Sequence, residues 1–194
     1  MKHKILIPIL LVLVIITVCF LPLIFTNNKE HKILEETKHY KITYKDSMYY
    51  YYIFDKNNNI VRTDGPLNIK PNIMVIDDNL ICFTLQSGTG IVTQWGYYYD
   101  INKNIFSQTF HSIYDQSNGK IAYGGLNKII ISDIFDSNKY YLEIDKFDNP
   151  LAKVAAPILS VEFTNNGTSI NVSYLTGSDY KETTQNVKLT QLIR

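Results

Sequence analysis

Hydrophobic and polar positions along this chain fall into two regimes. Residues 5–25, ILIPILLVLVIITVCFLPLIF, form an apolar run of 21 without a charge. As a helix rising about 1.5 Å per residue it would reach about 31 Å, enough to cross the hydrocarbon core of a bilayer. Beyond residue 38 the period becomes two. Tyr40, Ile42 and Tyr44 alternate with Lys41, Thr43 and Lys45, the signature of a half-buried strand. Further strands are predicted over 48–54, 73–76, 80–85, 91–99, 105–110, 120–123, 128–134 and 139–144. A final alternating pair follows, with Leu159, Val161 and Phe163 before Asn165-Asn166-Gly167, and Ile170, Val172 and Tyr174 after it. Asp- and Asn-rich clusters separate these runs and read as turns, since both side chains bond their own backbone readily. Residues 26–37 are polar and read as a linker or short helix. The run Ile129-Ile130-Ile131 suits a strand covered on both faces.

The apolar run admits three readings. A cleaved signal has a basic start, which Lys2 and Lys4 supply, but needs a small-residue cleavage site, and Thr26-Asn27-Asn28-Lys29 follows instead. A lipidated signal would use Cys19, preceded here by Val18 where a small residue is expected. An uncleaved anchor accounts for the full length of the run, and Pro8 and Pro22 fall within a turn of its ends. Lys2, Lys4 and the terminal amine favour a cytoplasmic N-terminus, a bias that Lys29 and Lys32 weaken. The expected organisation is a cytoplasmic stub of residues 1–4, a transmembrane helix of residues 5–25, a linker of residues 26–37 and an extracytoplasmic all-β domain of residues 38–194.

Charge narrows the partners. All 18 acidic residues and 17 of the 19 basic ones lie beyond the apolar run, which leaves that part of the chain one charge negative. Such a balance offers no basic footprint for nucleic acid. Cys19 would lie in the membrane, so Cys82 has no partner for a disulfide within the domain. Its setting, Leu80-Ile81-Cys82-Phe83, predicts a buried and inert thiol.

Three turns align at a spacing of 45 residues. Asp55 in Tyr52-Ile53-Phe54-Asp55-Lys56-Asn57 corresponds to Asp100 in Tyr97-Tyr98-Tyr99-Asp100-Ile101-Asn102 and to Asp145 in Leu142-Glu143-Ile144-Asp145-Lys146. A period of about 40–50 residues with about four strands per unit predicts propeller-like blades, with a twisted sandwich as the competing architecture. The Tyr-Asp-x-Asn turn at 99–102, the run Ser132-Asp133-Ile134-Phe135-Asp136 and the closing segment 163–189 are similar to those of membrane-anchored or secreted bacterial proteins with propeller-like β repeats. That resemblance implies an architecture and no particular activity.

Candidate chemistry is sparse. Asp55-x-Asn57-x-Asn59 and Asp100-x-Asn102-x-Asn104 resemble the first half of a calcium loop. Position six is isoleucine where glycine is required, and position twelve is Pro66 or His111 where glutamate is required. His111, Ser112 and Asp115 are triad residue types without a Gly-x-Ser-x-Gly, and His31 and His39 lack metal-ligand spacing. Gly88-Thr89-Gly90 lacks the lysine of a phosphate loop. Asn166-Gly167-Thr168 and Asn171-Val172-Ser173 match the glycosylation pattern, which an Asn-rich chain produces by chance. No catalytic set, metal or cofactor is expected. The remaining candidate is an aromatic binding surface made of Tyr49, Tyr51, Trp95, Tyr97 and Tyr99. The expectation is a non-enzymatic interaction or scaffold module that meets a protein or cell-wall glycan; the alternative is an envelope hydrolase or glycan-binding protein.

Overall fold

The computed structural model describes residues 31–87, 93–125 and 127–189. The expected membrane-spanning run, Cys19 and the Gly88-Thr89-Gly90 turn lie outside the described residues. Among the described residues, no helix is long and apolar enough to cross a membrane.

The described chain is all-β and consists of antiparallel meanders that follow one another in sequence. The first sheet is β1 (Lys32–Glu36), β2 (Tyr40–Lys45), β3 (Met48–Phe54) and β4 (Ile60–Leu67). The second is β5 (Asn72–Asp77), β6 (Leu80–Ser87), β7 (Thr93–Asp100) and β8 (Ile105–Phe106), with β9 (Phe110–His111) also paired to β7. The third is β10 (Ile113–Ser117), β11 (Lys120–Gly125), β12 (Lys128–Asp133) and β13 (Tyr141–Ile144), and the fourth is β14 (Ile158–Thr164), β15 (Ser169–Thr176) and β16 (Lys181–Lys188). Strands adjacent in sequence are adjacent in each sheet, as short turns require.

The β structure starts earlier than the sequence pattern indicates. Residues 32–36, expected in a linker or helix, form β1 and pair with β2 from Lys32↔Tyr44 to Glu36↔Lys41. The segment KILEE has no clean alternation, so the edge of β2 decides its state by satisfying its backbone groups. β10 is a second strand without an apolar pattern of its own, IYDQS, and it likewise forms on the edge of β11.

Burial shows how the sheets are stacked. One core cluster joins Ile42, Tyr51 and Ile53 of the first sheet to Ile81, Phe83, Leu85, Tyr97 and Tyr99 of the second. Another joins Cys82, Tyr98 and Phe110 of the second sheet to Ile121 and Ile134 at the third. The last joins Ala122, Ile129, Ile131 and Ile144 of the third to Ile158, Val161, Ile170, Val172 and Tyr174 of the fourth. Side chains alternate across a strand, so the second and third sheets are each sandwiched between neighbours. That explains why Tyr97, Tyr98 and Tyr99 are all buried although they are consecutive. Among the described residues the array is open, because no core cluster of theirs joins the fourth sheet to the first.

The structural repeat differs from the sequence repeat. In every sheet, the residue just before the second strand accepts a backbone hydrogen bond from the end of the third. These pairs are Phe54 N–H to His39 O at 2.9 Å, Ile101 to Asn79 at 2.8 Å, Ile134 to Gly119 at 2.9 Å and Leu189 to Thr168 at 2.9 Å. By register Asp100 matches Ile53, two positions before Asp55, although both aspartates are in the turn from third to fourth strand. Asp145 is not, because it follows the fourth strand, β13. In the third sheet the position of Asp100 is held by Asp133, whose Oδ1 accepts from the backbone N–H of Phe135 and Asp136 at 2.9 and 3.0 Å. The 45-residue spacing is therefore coincidental, because the equivalent positions Phe54, Ile101, Ile134 and Leu189 lie 47, 33 and 55 residues apart.

Two side-chain environments yield predictions. Gly96 sits where β7 crosses β6, and a Cβ there would lie 2.1 Å from the Phe83 carbonyl oxygen. Backbone cannot yield as a flexible side chain does, so Gly96→Ala should destabilise the full-length protein by about 1–3 kcal/mol, read from urea unfolding. His39 is buried in the β1–β2 turn, with neither ring nitrogen hydrogen-bonded among the described residues. Burial, and then the charge of Lys38, hold its pKa below the usual imidazole value, against a smaller opposing pull from Asp78. The unfolded chain therefore takes up a proton that the folded state resists. Stability should be complete above the ordinary histidine pKa and fall as pH drops from about 6.5 toward the lowered folded value. The urea midpoint should be lower at about pH 5 than at about pH 7, with a smaller difference in His39→Gln.

Candidate functional site

Of the five aromatic residues that suggested a binding surface, three are buried and two are partly buried. β3 alternates, so Tyr49, Tyr51 and Ile53 point toward the second sheet while Tyr50, Tyr52 and Phe54 point away. Tyr51, Tyr97 and Tyr99 are buried in the core between the first two sheets, and Tyr49 and Trp95 are partly buried against it. Phe83 is the hub of this packing. Its ring centroid lies 4.5 Å from Tyr51, 4.8 Å from Tyr97 and 5.7 Å from Trp95. Tyr99 stacks on Phe106 at 4.5 Å, and Tyr49 packs on Tyr44 at 4.9 Å. The sequence does not show that the second sheet is covered twice, which is why its consecutive tyrosines are all buried.

The phenols of this core are satisfied internally. Tyr97 donates its hydroxyl to Tyr51 at 2.9 Å, and Tyr51 donates to Asp64 Oδ2 at 3.0 Å. Arg62 lies 3.6 Å from that carboxylate and stacks 4.0 Å above the Tyr97 ring. Burial pushes the Tyr51 phenol up to about 12 and raises Tyr97 as well, so neither can exchange a proton in the physiological range. Burial likewise pushes the Cys82 thiol up to about 11, which fits the inert thiol expected from its strand.

The candidate hydrolytic residues are held apart by turn chemistry. Asp133 closes its own turn and pairs with Lys139 at 3.2 Å. Asp136 caps Asn138 N–H at 2.9 Å, and Asp115 accepts from Phe163 N–H at 2.7 Å, tying the third sheet to the fourth. His111 is exposed in β9 and pairs in register with Trp95. Among the described residues, no hydrogen bond between two side chains joins any two of these four. Asp55 binds the N–H groups of Asn57 and Asn59, both at 2.8 Å, and the Asn59 side chain at 3.1 Å. These hydrogen bonds, led by Asn59, hold its carboxyl below the usual range. The loop thus turns its acceptors inward onto its own donors. Among the described residues, no group of three or more His, Cys, Asp or Glu could hold a metal ion.

The surface that sequence reasoning missed is the opposite face of the first sheet. His31, Ile33, Lys41, Thr43, Tyr52, Phe54 and Ile60 line a groove of about 350 Å³ there. Register places Thr43 opposite both Ile33 and Tyr50, and Lys41 opposite Tyr52. Ile33 and Ile60 are 49% and 57% exposed, whereas Thr43 is 1% exposed at the floor. The His31 Nδ1 lies 2.9 Å from Thr43 Oγ1, and its ring meets Tyr50 edge-on at 4.8 Å. Lys41 and Glu36 pair at 3.6 Å on the same face. The opposite end of the stack contrasts with this. The outward positions of the fourth sheet are mostly polar, with Ser160, Glu162, Asn171, Ser173, Thr184 and Asn186 beside the apolar Leu159 and Leu175, and Asn186 Nδ2 is bonded to Asn171 Oδ1 at 2.7 Å. The alternation Lys41-Thr43-Lys45 marks this face as solvent-exposed, and only the consecutive Tyr49-Tyr50-Tyr51-Tyr52 hinted that it also carries aromatic rings.

No protein-family model matches this chain, and no curated protein matches it. The functional reading therefore rests on the arrangement of these faces.

The tyrosine relay gives a prediction that separates packing from proton chemistry. Tyr51→Phe removes the acceptor of the buried Tyr97 hydroxyl and should destabilise the protein by about 1–3 kcal/mol. It should leave the phenolate absorbance that develops below about pH 11 unchanged, because Tyr51 is not ionised there.

Proposed function

We propose that this protein is a membrane-anchored, extracytoplasmic interaction or scaffold module without enzymatic activity. Residues 5–25 cross the membrane with the N-terminus inside, and the stacked sheets form a propeller-like, open array of blades outside. The repeated antiparallel meander of three to five strands, and the hydrogen bond that recurs in every sheet between the second-strand start and the third-strand end, support the blade reading. The same features support a kinship with membrane-anchored or secreted bacterial proteins built from propeller-like repeats.

One observation carries the functional part. The stack ends in a polar face on the fourth sheet and in an aromatic, grooved face on the first. Repeat arrays need polar outer faces at their ends, so an apolar end is a contact surface. The aspartates that a hydrolase would recruit are engaged in turns and inter-sheet bonds, which favours the module over the catalytic alternative.

The test combines address and binding. The full-length protein should stay with the membrane through alkaline extraction, a derivative lacking residues 5–25 should be released, and protease added outside intact cells should digest the body. Release of the full chain by alkali would refute the anchor. Retention of the purified protein on cell-wall glycan, reduced by Tyr52→Ala, would turn the reading toward glycan binding.

A further inference from the structure

We propose that the outer face of the first sheet docks onto the bilayer interface, so that the domain stands on the membrane surface on this face. The inference deepens the anchored-module reading and rests on residues 5–25 lying in the membrane.

The course of the chain carries the argument. The described structure begins at His31, and His31 is itself part of this face, through its bond to Thr43 and its ring contact with Tyr50. Only residues 26–30 separate it from the end of the apolar run. Even fully extended, the six steps from residue 25 to residue 31 span about 20 Å. The interfacial layer on one side of the hydrocarbon core is itself about 5–8 Å thick. The face on which the chain arrives therefore cannot stand far from the lipid headgroups.

Composition fits that location. Tyr50, Tyr52 and Phe54 project from this side of β3, and Ile33 and Ile60 flank them from β1 and β4. Met48, at the start of β3, is exposed on the same side. Aromatic rings with polar tips belong at the headgroup level, where the ring leaves water while the hydroxyl stays wet. Lys41 and Lys45 stand among them on alternate positions of β2, with flexible stems that can reach phosphate groups. A second copy or a protein partner would have to cover Lys41, Glu36 and Lys45 along with the rings, whereas a hydrated headgroup layer accepts charges and rings together. The polar fourth sheet, at the other end of the stack, suits the side that faces away from the membrane.

The test uses the full-length protein in phosphatidylcholine vesicles. Cys19→Ala leaves the buried, unreactive Cys82 as the remaining native thiol. A thiol-reactive fluorophore is then placed at Ile60→Cys on the first sheet or at Thr184→Cys on the outer face of the fourth. An unchanged β-type circular dichroism spectrum shows that each variant is folded. Lipid carrying a nitroxide near the headgroup should quench the label at position 60 at least about twofold more than the label at position 184. Equal quenching at both sites in protein that resists alkaline extraction would overturn the docking and leave the anchor standing. Release of the protein by alkali would overturn the anchor and the docking with it. Cross-linking of the Ile60→Cys protein into dimers, without lipid quenching, would overturn the proposal in favour of a contact between two copies.

Discussion

The structure depends on the second sheet being buried from both sides. Phe83, Ile81 and Leu85 point one way from β6 into the first sheet, and Cys82 points the other way toward the third. β7 repeats the division, with Tyr97 and Tyr99 on one side and Tyr98 on the other. A sheet without a solvent face removes apolar area from water twice per strand, at roughly 25 cal/mol per Å². It also makes register unforgiving, because a one-residue slip exchanges the two core clusters. Gly96 belongs to the same constraint. It lets β7 pass close to the Phe83 carbonyl in the middle of that sheet.

Polar side chains then define where each strand stops. Asp55, Asp100 and Asp133 close the equivalent turn in three successive sheets, each by turning a carboxylate oxygen onto nearby backbone N–H groups. Lys103 and Lys139 pair with two of them, at 2.9 and 3.2 Å. This use of carboxylates is structural and local, and it leaves few for chemistry. Inter-sheet polar bonds include Tyr97 to Tyr51 between the first and second sheets, and Phe163 N–H to Asp115, Lys120 Nζ to Gly167 O and Asn118 Nδ2 to Asn166 O between the third and fourth. They fix orientation across interfaces whose apolar packing alone has little directional preference.

The ends of the stack differ because only they must meet something other than another sheet. The fourth sheet ends mainly in serine, threonine, asparagine and glutamate, which water satisfies, with Leu159 as its exposed apolar residue. The first ends in tyrosine, phenylalanine and isoleucine around a groove, on the same face that receives the chain from residues 26–30. The proposed anchored module and membrane-facing end both rest on this asymmetry.

The sequence by itself determined the all-β class, the positions of most strands and the Asp- and Asn-rich turns. Each is a local matter of two-residue alternation and of side chains that bond their own backbone. It also determined that Cys82 is buried, since its neighbours on both sides are apolar. Tertiary structure decided the rest. β1 and β10 exist because a neighbouring strand offers an edge, which no local pattern reports. Tyr51, Tyr97 and Tyr99 are core and Tyr50, Tyr52 and Phe54 are surface because the second sheet covers one side of β3 and nothing in the described structure covers the other. A run of consecutive tyrosines has no intrinsic inside. Its two faces became distinct only when one of them met Phe83.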